Sequence, residues 1–183
     1  MISREKTERS MRSLVLASSV GTVIEWYDFF LYGSLAIFFA RLFYPPGDDV
    51  AATLISVATF ATGFAVRPLG SLIFGYMGDS VGRKTTFLIT LLIMGCSTAA
   101  IGLLPTFATA GYVAPVLLIL LRIVQGLALG GEYGGAATYV AEHSPPGERG
   151  KWASYIQAMA SGGFVLSLGM VLILRVWLGE DAF

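Results

Sequence analysis

One cysteine and one histidine stand in a chain of 183 residues. Cys96 alone closes no internal disulfide and makes no metal site by itself. His143 alone excludes a histidine cluster. Charge is scarce as well: 13% of the residues are charged, against about 25% in an ordinary soluble domain. The 12 basic and 12 acidic residues cancel, so bulk charge offers no hold on nucleic acid. No low-complexity tract is present. No nucleophile–base pair or metal-spaced cluster is visible, which argues against an enzyme and against a cofactor site. What abounds instead is apolar: 55% of residues are hydrophobic and the mean hydropathy is +0.72. Water is not the only solvent of such a chain.

The apolar residues gather in five runs, at about 14–43, 51–77, 85–104, 112–141 and 152–178. Each has ~20 residues or more, enough to cross a ~30 Å hydrocarbon core at ~1.5 Å per residue. Backbone polar groups in lipid must be satisfied within the segment, so the runs are expected to be helices. The expected fold class is an all-α membrane protein with five transmembrane helices. A secretory signal is the rival reading of the N-terminus, which has basic residues before "LVLASS". Its apolar core should stop after ~10 residues, whereas this run continues to Phe43.

Basic residues set the orientation. Arg4, Lys6, Arg9 and Arg12 precede the first run, so 1–13 reads as a cytosolic tail. Arg83 and Lys84 follow the second run; Arg149 and Lys151 follow the fourth. The other side has only Arg41 and Arg175, near helix ends. The N-terminus is therefore expected in the cytosol. Residues 179–183 begin an external loop in this reading, and a bacterial inner membrane is the expected location. The links "YPPGDDV" (44–50), "GDSVGRK" (78–84), "PTFATAG" (105–111) and "EHSPPGERGK" (142–151) are too short for a further domain. Their Pro and Gly residues are turn formers.

Five ionisable side chains interrupt the runs: Glu25, Asp28, Arg67, Arg122 and Glu132. Each would cost at least ~2.5–3.5 kcal/mol facing lipid at mid-membrane. They are expected to face one another or a water-filled cavity. Glu25 and Asp28 lie about 16 and 21 Å along the first helix from Leu14; Arg67 and Glu132 lie about 15 and 14 Å in from Met77 and Ala141. At matching depths, Arg67 is expected beside Glu25 or Glu132, and Arg122 beside Asp28. Glu25, Asp28 and Tyr32 share a helical face by their i, i+3, i+7 spacing. Gly126, Gly130 and Gly134 recur every four residues, a small-residue stripe that lets another helix come close. Pro68 frees a carbonyl one turn earlier and is expected to kink the second helix.

Two motifs carry a resemblance. In "GYMGDSVGRK", Gly75, Asp79, Gly82, Arg83 and Lys84 match the cytosolic loop signature of the major facilitator superfamily. Ser80 departs from it, since the pattern has a basic residue there. In "LRIVQGLALGGEYGGA", Arg122, Gln125, Gly126, Gly130 and Gly131 match the superfamily's helix-4 pattern. "EWYDFFLYG", "RPLGSLIFGYMGD" and "GGEYGGA" look like its metabolite:proton symporter branch, which imports carboxylates and proline or betaine. The resemblance covers about residues 14–178.

This resemblance implies the N-terminal part of a twelve-helix transporter, five of the six helices of the first half, with a C-terminal half as expected partner. It implies a cytosolic gate at Gly75, Asp79, Gly82, Arg83 and Lys84. It also places Arg122 near helix 1 and in proton coupling. Inverted repeats would make helices 1 and 4 equivalents that line the central path. The functional reading is a proton-coupled symporter that imports a small organic metabolite, a carboxylate or zwitterionic osmolyte. Glu25, Asp28, Tyr32, Arg67, Arg122, Gln125 and Glu132 would line its path, with Trp26, Tyr27 and Tyr133 as an apolar wall. The proton gradient is the energy source and no cofactor is expected. The plain alternative is structural ion pairs that fix helix register, in a membrane fragment with no transport of its own.

Overall fold

The computed structural model describes residues 2–179; the side chains of residues 2–14, 16–18, 132–134, 136 and 139 lie outside the described set. Among the described residues eight helices follow in order: α1 (Ile2–Ser34), α2 (Ala36–Phe43), α3 (Asp49–Ala65), α4 (Arg67–Val81), α5 (Arg83–Gly102), α6 (Phe107–Ala110), α7 (Val113–His143) and α8 (Arg149–Leu178). No strand occurs among the described residues. Among the described residues four stretches are long and apolar enough to cross a membrane, or five if α1 and α2 make one bent span. Large apolar side chains on them stay exposed, among them Leu72, Leu92, Ile173 and Val176. Surfaces this apolar suit lipid rather than water.

The boundaries depart from the sequence reading in four places. The tail at 1–13 is helical from Ile2 onward. The first run is not one helix: Ser19–Ser34 and α2 meet at 66° around Leu35. Gly33 and Ser34 precede the break, and Gly/Ser pairs are a common cause of sharp kinks. The link at 78–84 shrinks to one residue, Gly82, whose φ of 106° ends α4 and starts α5. The loop at 105–111 holds the single turn α6. The break between α3 and α4 falls at Val66. Pro68 follows it and cannot donate to the Phe64 carbonyl four residues back.

The chain divides into two compact units. One comprises Met1–Phe30 with Tyr133–Phe183, the other Leu31–Glu132.

In the first unit, α8 closes on α1 at Gly163. A β-carbon there would lie 2.7–2.8 Å from the Val23 carbonyl oxygen, Trp26 Cβ and the Tyr27 nitrogen. Only a residue with no side chain allows this approach. Rings cover the contact: Phe30 meets Phe164 at 4.7 Å, and Trp26 stacks on Phe30 at 5.5 Å.

In the second unit, α2 turns back and packs on α3. Asp48 caps α3 by accepting from the Val50 and Ala51 amides at 3.0 Å. The Ser56 hydroxyl donates to the Ala36 carbonyl at 2.8 Å, next to the Leu35 break. Tyr44 and Thr59 join hydroxyl to hydroxyl. Around these bonds Tyr32, Ala40, Phe43, Ala52, Ile101, Ala114 and Leu118 form the buried core. Further along, α7 lies directly on α3 and α4. Side chains added at Gly126 and Gly130 would strike the carbonyls of Gly63 and Arg67, and one at Gly70 would strike that of Leu127. The Ser71 hydroxyl donates to the Gly130 carbonyl at 2.7 Å, across the same contact. Gly134, third of the stripe, lies outside the described side chains.

Candidate functional site

The candidate residues fall on both units. Glu25 and Asp28 sit on the first-unit part of α1. Glu25 is 2% exposed and Asp28 is half-buried. Thr22 and Ser19, one and two turns before Glu25, are buried too. A polar strip thus runs into the buried side of an apolar helix. Beside it, Trp26, Phe29 and Phe30 pack ring on ring at 5.4–5.6 Å. Tyr27 is half-buried.

Arg67, Arg122, Gln125 and Tyr32 belong to the second unit. Arg122 is 6% exposed. Its guanidinium lies 3.7 Å above the Tyr32 ring centre. That ring stacks on Phe39 at 4.4 Å and is parallel to Phe60 at 5.6 Å. A cation over a desolvated aromatic face gains about 2 kcal/mol, and the ring's neighbours hold the face in place. Gln125, buried one turn below Arg122, donates from Nε2 to the Thr98 hydroxyl of α5 at 2.7 Å. Arg67 opens α4, with its guanidinium 4.3 Å over the Phe64 ring. The Glu132 and Tyr133 side chains lie outside the described set.

The structure therefore brings Arg122 and Tyr32 together. It also supplies Thr98 as the Gln125 partner, which sequence reasoning missed. Thr98 is an ordinary small polar residue in an apolar run, and nothing in its local text marks it. The Phe30–Phe164 contact was missed for the same reason.

The loop residues lie in and around the α4–α5 turn. Asp79, in the last turns of α4, meets Arg83 at 3.9 Å, with Asp79 78% exposed. Ser80, where the loop pattern has a base, donates its hydroxyl back to the Tyr76 carbonyl at 2.9 Å. Gly75 has open space around it, and Lys84 is exposed. The link before α8 is tied similarly: Glu148 accepts from Trp152 Nε1 at 3.1 Å and meets Lys151 at 3.8 Å. His143 is exposed at the end of α7. Tyr44, just past α2, is buried, and burial pushes its hydroxyl pKa up while the Thr59 bond opposes the shift.

Buried charges lie on long apolar helices, two of which are joined by the single residue Gly82. The sugar (and other) transporter family matches residues 14–180. The chain belongs to that family, within the major facilitator superfamily. Its fold agrees: the xylose transporter XylE of Escherichia coli, in an inward-open conformation, matches with a TM-score of 0.72 at 20% identity, over 92% of this chain and 40% of that one. Sequence relatives are nearer. The inner membrane metabolite transport protein YhjE of E. coli K12 is 48% identical over 95% of this chain and 40% of its own length. The shikimate transporter of E. coli K12 is 43% identical over 94% of this chain and 40% of its own length. The proline/betaine transporter of Salmonella typhimurium is 42% identical over 94% and 35%. The chain thus spans 35–40% of the length of these curated relatives. Family and fold are those of transporters, not enzymes.

Proposed function

We propose that this chain supplies the N-terminal helices of a proton-coupled secondary transporter. The transporter imports a small organic metabolite, a carboxylate or a zwitterionic osmolyte, by alternating access. It sits in a bacterial inner membrane with its N-terminus in the cytosol, and the proton gradient is its energy source. A C-terminal set of helices completes the path. The observation that carries the reading is the burial of Glu25 and Arg122, 2% and 6% exposed, inside membrane-spanning helices. Charges in such places are expensive and mark ion and substrate pathways. The relatives named for metabolite, shikimate and proline/betaine transport support the substrate range.

The chemistry follows from competition for a cation. A buried carboxylate holds its proton more tightly, and an adjacent arginine loosens it. A substrate carboxylate that engages Arg122 in a two-point contact draws the guanidinium off the Tyr32 ring. A buried carboxylate that loses a stabilising cation takes up a proton. Proton and substrate load together, as symport requires. Arg67 adds positive charge to the same path, and Gln125 fixes the neighbouring turn of α7 through Thr98.

The test uses cells that express the gene carrying this sequence. Labelled substrate is accumulated against its gradient, in wild type and in the Glu25→Gln and Asp28→Asn variants. At least one variant should lose tenfold or more of gradient-driven accumulation while still exchanging substrate downhill. Undiminished accumulation by both variants would remove these acids from the coupling step.

A further inference from the structure

A cavity of about 220 Å³ opens where α2 turns into α3, and neither Arg122 nor Glu25 lines it. Arg41 and Asp49 both line it, as do Tyr44, Pro45 and Pro46 of the turn. Arg41 lies in the last turn of α2 and Asp49 in the first turn of α3. Each charge suits the dipole of its own helix end, which explains each singly. Their shared cavity is a separate fact. Neither side chain makes a hydrogen bond or ion pair with another described residue, and they make none with each other. The contrast with Asp48 is direct: its carboxylate is spent on capping α3, while Asp49 engages only through its backbone carbonyl, which accepts from the Thr53 hydroxyl.

The geometry points to a binding site for a zwitterionic phospholipid headgroup: phosphate on Arg41, ammonium on Asp49. Opposite charges on one cavity, not neutralised by each other, match a ligand with both signs. Ligand pockets that enclose a whole small molecule are usually ~300–1,000 Å³. This one is smaller, which suits a headgroup. The cavity also lies at the ends of two membrane spans, where headgroups sit. Exposed apolar side chains lead away from it along both helices: Ile37, itself a lining residue, with Leu42 on α2, and Val50 and Leu54 on α3. Acyl chains would cover that surface; a free zwitterion would leave it bare. The site goes beyond the transport path and does not depend on it.

The experiment is native mass spectrometry of the whole protein encoded by the gene that carries this sequence, released from nanodiscs containing equal phosphatidylethanolamine and phosphatidylglycerol. The wild type should retain the ethanolamine lipid at least fivefold over the glycerol lipid. Asp49→Asn should abolish that preference while leaving phosphate-driven retention. Arg41→Gln should lower retention of both lipids severalfold, and Arg41→Lys should restore most of it. Asp48 is untouched in all three, so the α3 cap remains, and circular dichroism checks helicity. Equal retention of the two lipids by wild type would overturn the proposal, as would variants that change nothing. Soluble phosphoethanolamine provides the other arm: if it binds with the same sensitivity to Arg41 and Asp49 while lipid preference is absent, the ligand is a free zwitterion and the lipid assignment is wrong.

Discussion

The two units solve one packing problem in different ways. In the unit of Met1–Phe30 and Tyr133–Phe183 the glycine Gly163 admits α1, and rings lie at the contact. In the unit of Leu31–Glu132 glycines stand on both helices: Gly126 and Gly130 on α7 face Gly63, Arg67 and Gly70. There backbone meets backbone, and a hydroxyl from Ser71 bonds across it. The charges divide as well. The acids Glu25 and Asp28 belong to the first unit, and Arg67 and Arg122 to the second, each base lying over a ring. In the second unit close approach of the helices and burial of a charge go together. Where α7 has no side chains it can lie flat on α3 and α4, and the next turn then carries Arg122 into the interior. Apolar packing alone supplies little drive between helices in lipid, so such contacts and their hydrogen bonds count for more.

The comparison can be broken hardest at the glycines. Gly130→Ala should destabilise the bundle by about 3 kcal/mol, the upper end for overpacking, because the new methyl meets the Arg67 carbonyl and the Ser71 nitrogen, both backbone. Gly163→Ala should cost less, about 1–2 kcal/mol, since its contacts are longer and one of them is a side chain. Gly135→Ala, with open space around it, should gain up to about 1 kcal/mol from helix propensity. Unfolding of the three variants in one lipid or detergent, read by an unfolding midpoint, ranks them.

A smaller effect is expected at the ring under Arg122. Tyr32→Leu should remove about 2 kcal/mol of cation–ring attraction, whereas Tyr32→Phe keeps the face and should stay within about 0.5 kcal/mol of wild type. The same unfolding measurement separates the two. Smaller again is the Gln125–Thr98 bond. A double-mutant cycle with Gln125→Leu and Thr98→Val should give a coupling of about 0.6 kcal/mol, typical of hydrogen bonds between membrane helices. Smallest is the exposed pair at the α4–α5 turn. Asp79→Asn should change stability by no more than about 0.5 kcal/mol, since exposed ion pairs contribute little. A larger loss of transport than of stability in that variant would mark Asp79 as a working part of the loop.

Much of this arrangement was readable from the text of the chain. Span length and hydropathy are additive over ~20 residues, so the five runs were visible without any contact being known. The four-residue spacing of Gly126 and Gly130 told of a close approach, because only small residues permit one. The partner surface was another matter. Gly63, Gly70 and Ser71 are separated from α7 by a whole helix, and no local pattern ties them to it. The break at Leu35 had a signal in Gly33–Ser34, but Gly and Ser are common enough in membrane helices to pass as packing residues. Pro68 was plainer, since its missing N–H acts at a fixed distance. Tyr32, the ring under Arg122, was legible only as a member of the same helix face as Glu25. Side-chain direction depends on packing from α2 and α3, which periodicity does not encode.

The central claim is that substrate and proton enter together through the buried charges. The most direct measurement is of the proton itself. Membrane vesicles from cells expressing the gene that carries this sequence are loaded with a pH dye, and a carboxylate or betaine substrate is added with no preset gradient. Substrate entry should acidify the lumen in wild type, and the Glu25→Gln, Asp28→Asn double variant should show substrate exchange with no pH change. Substrate uptake by wild type without any movement of protons would contradict the account.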